Sequence, residues 1–580
     1  MTPRDVAAVL AQIATLMEIA GGNPFRAKAF ATAARKLESA DVDLAALAEA
    51  GALTSLPGIG EGIAGVVDEL VRTGRSGMHE RLVADTPPGL FDVMRVPGLG
   101  LKRVRTLYAE LGVDSLDALE REARAGRVAA LAGFGARTEA KVLDGLAFAR
   151  ASRGLRRYPD AMESAVALLE WARAQPAVES AEIAGALRRR VEVVNAVELV
   201  AASGHPATVL AAFRALGGAS AGEAEDGRVS IHLSDGLPVR LRCVRPDAFV
   251  AAMVVDTGSV DHVLALAARA AERKLALDAD GLRKGRKHVP VADEEALYRA
   301  LALQYVPPEL REGWGEVEAA EAGRIPTLVE ADELRGTFHC HTDWSDGRAT
   351  LEEMAQGARA KGWEYLGIAD HSRSAGYAGG LPPAKAKQQM RAIDAWNEAH
   401  GGKGAGRFRL FKGTESDILA DGRLDYDDDV LAAFDYVVGS VHSAFNLPER
   451  EMTDRMVRAV SNPRLTMLGH PTGRLLLTRE GYHVDVRAVI DAAAQHGVAV
   501  EINADPHRLD LDWQHVRYAA GRGVLVPVNP DAHSVRGLDN VAFGVHVARK
   551  GWLSARQVLN TWTLPEVEQH FAERKQAGPR

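Results

Sequence analysis

The sequence predicts a three-part chain: an all-helical region over residues 1–150, an α+β region over 151–320, and a closed or nearly closed α/β barrel over 336–570. Three observations predict it. Alanine- and leucine-rich segments with helical spacing fill the first part and show no alternating strand pattern. Helical stretches mix with strand-like runs in the second. In the third, a short apolar strand, a polar tip and an amphipathic helix recur seven times.

DVAAVLAQIATLMEI and FRAKAFATAARKL supply the helical periodicity of the first part, and the basic stretch RASRGLRRYPD that follows reads as a linker or hinge. The middle holds a helix, AMESAVALLEWARAQ, and strand-like VEVVNAVELVAA, RVSIHL and LPVRLRCV. The acidic, Pro/Gly-punctuated stretch 307–336 reads as a second linker. The seven strand candidates after it are GTFHCHT, YLGIADHS, FRLFKGTES, YVVGSVHS, LTMLGHPT, VAVEINADP and VLVPVNPDAHS.

With 580 residues the chain is too long for one core, and 47% hydrophobic with 26% charged residues is a globular balance. No apolar run reaches the ~18 residues of a membrane span. The N-terminus carries acids and lacks a basic start and cleavage site, so the expectation is a cytoplasmic protein without a membrane partner. Cys243 and Cys340 are too few for a disulfide framework or a cysteine-rich zinc module, so any metal must be held by histidine and carboxylate. Net charge is −8, and a nucleic-acid partner has to be argued from local geometry.

The strand tips carry that metal chemistry. His339, His341, His371, Glu415, His442, His470, Asn503, Asp531 and His533 fall at successive strand ends, where a βα barrel builds its active site. In HCH the two imidazoles lie two apart and face one side, while Cys340 faces the other and packs. DAH at 531–533 repeats the geometry with a carboxylate first. Single histidines such as His483, His496 and His515 read as ordinary surface or core residues, and Asp343 as a loop or capping residue. Arg508 has two readings: a phosphate contact, or a salt bridge to Asp510 or Asp512.

Near the N-terminus, LPGIGEGIAGVVDEL (56–70) and VPGLGLKRVRTLYAELGV (96–113) look like helix-hairpin-helix motifs. In such motifs a glycine turn, here Gly58 with Gly60 and Gly98 with Gly100, exposes backbone N–H groups to a DNA phosphate. Lys102 and Arg103 follow the second turn, and AGFGARTEAKVL (132–143) is a weaker third copy without the proline. Residues 1–150 hold 18 basic and 19 acidic residues, so binding should be local and modest.

On the motifs GTFHCHTDWSDG, GIADHS, GTESDI, VGSVHS, LGHP and NPDAHS, the region 336–570 resembles the PHP (polymerase and histidinol phosphatase) family, which implies a distorted (β/α)7 barrel hydrolysing phosphoesters. The resemblance implies one metal on His339, His341, Glu415 and Asp531, a second on Glu415, His442 and His470, and a third on Asp346, His371 and His533. Glu415, Asp531, His533 and Arg508 would then carry the catalysis. Mixed histidine and carboxylate donors suit Mn²⁺ or Zn²⁺.

The order of the three parts resembles bacterial family X DNA polymerases: a helical DNA-end domain, a nucleotidyltransferase-like palm with thumb, and a PHP domain. EEALYRALALQYVPPELREGWGEVEAA (294–320) looks like that family's thumb and linker, and TGSVDH at 257–262 like its TGS turn. The family's palm holds two magnesium ions on three aspartates. Here Asn195 stands at the preceding glycine, Ala196 and Glu198 at the first two aspartates, and Arg240 at the third, while Ala186 replaces a serine expected near the triphosphate. Mg²⁺ binding and templated synthesis are therefore not expected. The first hairpin helix has Gly62 and Val66 where a lyase lysine would sit, so that activity is not expected either.

The resemblance thus implies a DNA-repair protein acting on 3′ ends, gaps or nicks as a 3′–5′ exonuclease or 3′-end phosphoesterase, with cleavage at abasic sites as a further activity. The alternatives are an active gap-filling polymerase, a small-molecule phosphatase of the histidinol-phosphate type, and a non-catalytic DNA-binding scaffold.

Overall fold

A computed structural model describes residues 1–580 except 2, 39, 41, 218–221, 223–226, 234–235, 403–405 and 577–580, and except the side chains of 4 and 38. The chain divides into two compact units, Met1–Arg153 and Gly154–Arg580.

The first unit is helical among its described residues. Val6, Leu10, Ile13, Phe30 and Leu37, from the helices Pro3–Ile19 and Pro24–Glu38, share a core with Ile59, Ile63, Val67 and Leu70. The helix Glu61–Thr73 buries Ile63, Val66, Val67 and Leu70, the one-sided spacing that a 3.6-residue period places on a single face. A second cluster gathers Leu90, Val96, Leu99, Val104, Leu107 and Leu146 around the helix Leu101–Leu111. The helix Ala136–Ala151 runs past residue 150, and the units divide after Arg153.

The second unit begins with a four-stranded sheet in the order Ser180–Ile183, Val197–Ala202, Pro238–Val244, Arg228–His232. Its two central strands are parallel and both outer ones antiparallel to their neighbours. Val197, Leu199, Ala201, Val239, Leu241 and Cys243 bury one face against the helix Tyr158–Arg173. A small antiparallel sheet, Ala276–Asp278, Gly281–Lys284 and Lys287–His288, follows.

The acidic stretch 307–336 does not run free, as a linker reading expects. Leu310, Val317, Ala320, Ile325 and Leu328 join the core formed by Leu266, Leu282, Leu297 and Tyr298. Two of its acids have partners on other segments: Glu309 accepts from Arg549 at 2.9 Å, and buried Glu316 lies 2.6 Å from His262. Apolar residues interleaved with paired acids make this segment part of the fold rather than a tether.

From Gly336 onward seven strand positions pair in parallel and in chain order. Two of them are broken: Arg409–Lys412 continues into Glu415–Asp417, and Ala499–Val500 into Ile502–Asn503. A parallel bridge between Cys340 and Ala532 joins the last strand to the first, so the ladder returns on itself. All seven sequence-read strand candidates contribute to it. Phe338, Tyr365, Phe411 and Tyr436 pack with Phe571 of the C-terminal helix Leu564–Gln576, while the tips of the same strands carry the polar residues.

Candidate metal centre

Each tip of this ring delivers one or two ligand-type side chains into a common buried space. His339 and His341 follow the strand Gly336–Thr337, and both are fully buried; Cys340 between them is buried in the apolar core. Glu415 opens the strand Glu415–Asp417 and is only 1% exposed, an untenable place for a carboxylate without positive partners. Five imidazoles surround it: Nδ1 of His371 at 2.8 Å, and Nε2 of His470, His442, His339 and His341 at 3.0, 3.2, 3.4 and 3.8 Å. Asp531 lies 3.2 Å from His341 Nε2 and 3.7 Å from His339 Nε2. On the outer side Asp346 approaches His533, His371 and His341 at 3.4, 3.6 and 3.8 Å.

Three groups have ligand atoms close enough together to share an ion: His339, His341 and Asp531; His371, Glu415 and His442; and His341, Asp346, His371 and His533. Eight of the nine sequence-predicted ligands fall in these groups and the ninth, His470, lies 3.0 Å from Glu415, but the boundaries between groups are softer than the expected partition. His341, stacked between the rings of His371 and His533 at 4.5 and 4.3 Å, belongs to two groups, and His371 reaches both Glu415 and Asp346.

The donor set fits cations. Buried nitrogens of His339, His341, His371 and His470 have no hydrogen-bond partner; His371 Nδ1 sits 2.8 Å from Glu415 yet outside hydrogen-bond geometry. Buried imidazole nitrogens crowded beside carboxylates outside hydrogen-bond geometry suit the lone-pair donation that a metal ion requires. The electrostatics agree. Burial lowers His341, the charges of His533 and His371 lower it further, and it falls to about 3, neutral and ready to donate a lone pair. Burial opposes charge on His371 as well, but Glu415 and Asp346 lift it to about 10. Burial would raise Glu415, yet His442, His371 and His339 hold it well below the usual carboxylate range. The carboxylates demand positive charge at their centre.

Sequence reasoning missed the groups that aim these ligands. Glu501, fully buried, takes His339 Nδ1 at 2.8 Å, the Asn529 amide at 2.8 Å and the His470 backbone N–H at 3.1 Å. Asp417 takes His442 Nδ1 at 2.7 Å. A carboxylate on the far nitrogen fixes the ring and its tautomer. The signal was available: Glu501 and Asp417 lie two residues from Asn503 and Glu415, on the same strand face. Tyr377, 73% exposed, stands at the rim with its ring 6.1 Å from that of His371 and 6.3 Å from that of His442. Arg508 is mostly buried, and its nearest carboxylate is Asp531 at 3.6 Å. Asp510 instead accepts the backbone N–H groups of Thr472 and Gly473, and Asp512 caps the helix Trp513–Gly521, so neither pairs with Arg508 as one of its two readings had it.

The palm positions present a different picture. Ala196 is buried, and Glu198 and Arg240 are direct partners across the two parallel strands, with Arg240 donating to Glu198 at 3.3 Å. The Glu198 carboxylate lies over Gly185, where a Cβ would meet it at 1.7 Å; Gly185, at φ +63°, can be no other residue without displacing it. In the first unit, Gly58 and Gly98 adopt φ +87° and +82°, and Gly60 and Gly100 cap the helices that follow. Gly133, at φ +82°, takes the conformation of Gly58 and Gly98 in the weaker third copy, but its capping Gly135, at φ +92°, departs from Gly60 and Gly100. Lys102 is exposed, whereas Arg103 donates to the Gly98 carbonyl at 3.0 Å and lies over the Phe134 ring. Gly62 is exposed and Val66 buried in the core.

Residues 337–505 match the PHP domain family, 252–312 the DNA polymerase beta thumb, 1–76 a helix-hairpin-helix domain and 91–147 a SAM-like helix-hairpin-helix tandem. Fold and site therefore define a metal-dependent PHP-domain protein joined to DNA-binding helical hairpins and a polymerase thumb. Over 577 residues the chain is 37% identical to "DNA polymerase/3'-5' exonuclease PolX" of Bacillus subtilis, covering 98% of this chain and 99% of that protein. The chain belongs to the bacterial PolX family. Its C-terminal part is also similar to proteins named "Probable phosphatase", at 31% identity over 28% of this chain and 64% of the relative from Caldicellulosiruptor saccharolyticus, and at 24% over 41% of this chain and 94% of the relative from Thermoanaerobacter sp.. Among the described residues no helix is long and apolar enough to cross a membrane.

Proposed function

We propose that this chain is a cytoplasmic DNA-repair enzyme that trims 3′ ends at gaps or nicks through its barrel, as a 3′–5′ exonuclease and 3′-end phosphoesterase, and that its palm no longer polymerises. The reading rests on one contrast. At the barrel tips, carboxylates and imidazoles converge and leave buried nitrogens of four histidines without a hydrogen-bond partner, whereas in the palm Glu198 is already neutralised by Arg240.

His339, His341, Glu415 and Asp531 would hold one ion, Glu415, His442 and His470 a second, and Asp346, His371 and His533 a third. Up to three Mn²⁺ or Zn²⁺ ions there would activate water and neutralise the phosphate in hydrolysis. The chain does the rest. Glu501 and Asp417 hold His339 and His442 in orientation. Arg508, beside Asp531, offers a guanidinium to the scissile phosphate. The N–H groups at the turns Gly58–Gly60 and Gly98–Gly100, with Lys102, hold the DNA backbone, and Arg103 stiffens the second turn from within. Parts 1–150, 151–320 and 336–570 act as DNA holder, palm with thumb, and nuclease. The palm offers magnesium a methyl at Ala196 and a cation at Arg240, which removes both coordination and charge.

The similarity to proteins named as phosphatases supports a second reading, turnover of a small phosphomonoester. Incubating the protein and Mn²⁺ with a 3′-recessed, end-labelled duplex, with and without dNTPs, beside His339→Ala, separates these. The expected result is shortening that dNTPs do not reverse and that the variant lacks. Extension would refute the inactive palm; histidinol-phosphate turnover without shortening would favour the metabolic reading.

A further inference from the structure

Within the second unit, one palm residue reaches the loop that carries Arg508. The loop 505–512 leaves the strand Ile502–Asn503 and folds back on it: Asn503 and Asp510 exchange backbone hydrogen bonds at 2.5 and 3.1 Å, and the Arg508 and Leu509 N–H groups donate to the Asp505 carbonyl at 2.8 and 2.9 Å. Leu509 takes φ +42°, a left-handed conformation that a branched side chain adopts only when its surroundings impose it.

The carbonyls of this loop are held by Arg474, on the neighbouring loop after His470. Its Nε donates to the Arg508 carbonyl at 3.1 Å and its Nη2 to the Leu509 carbonyl. The same Nη2 donates to Glu192 Oε1 at 2.9 Å. Glu192 belongs to the palm, four residues before Ala196, and its own carbonyl accepts the Tyr158 N–H. Glu192 and Arg474 are 15% and 19% exposed, so neither is a swinging surface charge. The palm is seated firmly enough for this: Lys550 of the barrel donates to the Arg189 carbonyl and pairs with Glu312, and Trp314 packs edge-on against Trp513.

We infer that Glu192 is a positioning residue for the barrel's phosphoesterase site, acting through Arg474 to hold the Arg508 loop where Arg508 meets the substrate phosphate. A palm that has lost its own metal ligands is thereby retained as a wall of the nuclease. This rests on the role given to Arg508 above. It predicts that Glu192 governs substrate engagement and leaves metal loading alone.

The full-length protein with Mn²⁺ tests it. Glu192→Ala should lower kcat/KM for a 3′-recessed duplex by about 10-fold, mainly through KM, with Mn²⁺ content unchanged. Glu192→Gln, which keeps the Oε1 acceptor, should recover most of the loss. Because Glu192 acts through Arg508, Arg508→Ala with Glu192→Ala should be no worse than Arg508→Ala alone. Hydrogen exchange provides a readout independent of activity: amides 508–510 should exchange about 10-fold faster in Glu192→Ala, with the other barrel strands unchanged. Additive kinetic losses, or unaltered exchange in this loop, would overturn the inference. Should Glu192→Ala lose its fold, Glu192→Asp, which keeps the charge and shortens the arm, serves the same exchange test. A wild-type protein that cuts no DNA removes the proposed function instead, and the exchange result then decides the dependence of the loop on Glu192 alone.

Discussion

The barrel tips and the palm strands are both places where parallel β-strands present acids, and they balance charge in opposite ways. In the barrel, Glu415 and Asp531 are buried among imidazoles whose lone pairs point into the same space. In the palm, Glu198 faces Arg240 in strict register, and the pair is 30% and 41% exposed. A site built for a cation is one whose protein atoms alone leave it short of positive charge; a site that has closed its own ion pair has no such need. The sharpest way to break this comparison is Glu415→Gln. It removes the one charge around which five histidines are arranged. Metal stabilisation of a phosphoryl transition state is worth several kcal/mol, so the exonuclease rate should fall on the order of 10³-fold at ~1.4 kcal/mol per decade. Single-turnover kinetics with Mn²⁺ measure it, and a loss under ten-fold would mean the barrel is not the nuclease.

Metal removal probes the same imbalance through stability. Chelation should stop cleavage, and restoring Mn²⁺ to about 100 times its Kd should stabilise the barrel by about 2.7 kcal/mol. Thermal melting reads this as a concentration-dependent shift that Glu415→Gln largely lacks. Next in size come the residues behind the ligands. Glu501→Gln leaves a hydrogen-bonding side chain but weakens its hold on His339, and Mn²⁺ affinity or activity should fall about 10- to 100-fold. Metal titration followed by activity separates that loss from a global one.

Most of the candidate ligands were legible in the sequence because a βα barrel repeats, while Asp346, at no strand end, came only from the family resemblance. Once strand and tip recur seven times, phase alone says which residues meet, and His339 and Asp531 meet across 192 positions without any contact being known. Glu501 and Asp417 had the right type and parity but no signal of orientation, since whether a carboxylate ligates or aims a ligand depends on atoms rather than register. The Glu192–Arg474 pair was invisible for another reason. It joins residues 282 positions apart through packing of palm on barrel, which no periodicity encodes. The stretch 307–336 misled because acidic composition reads as solvated, whereas Glu309 and Glu316 each have a buried partner on another segment.

The helical hairpins carry a smaller effect. Their turns offer backbone N–H groups that only a proline would remove, and Arg103 is occupied by the Gly98 carbonyl and Phe134. Lys102 is exposed directly after the second turn, with exposed Arg95 before it and Arg105 on the helix that follows. Lys102→Ala should weaken binding to duplex ends a few-fold, uniformly across sequences, and reduce the slope of log K against log salt by about 1. Fluorescence anisotropy at several salt concentrations tests this. An unchanged slope would remove Lys102 from the interface and leave the N–H groups to bear the contact.

The smallest effect belongs to the palm pair, and it is the other half of the comparison. An ion pair this exposed contributes about 0–1 kcal/mol, so Arg240→Ala should lower the melting temperature only slightly. It should also leave 3′-end trimming within about two-fold, because neither Arg240 nor Glu198 touches the barrel loops that Glu192 reaches. Nor should it create synthesis. Removing the guanidinium frees one carboxylate, while Ala196 still offers a methyl where a second ligand is needed, and a lone half-exposed acid does not gather two divalent ions. Primer extension with dNTPs and Mn²⁺ checks that point. If Arg240→Ala extends a primer, Glu198 was a ligand held in reserve, and the palm is a blocked polymerase site rather than a retired one.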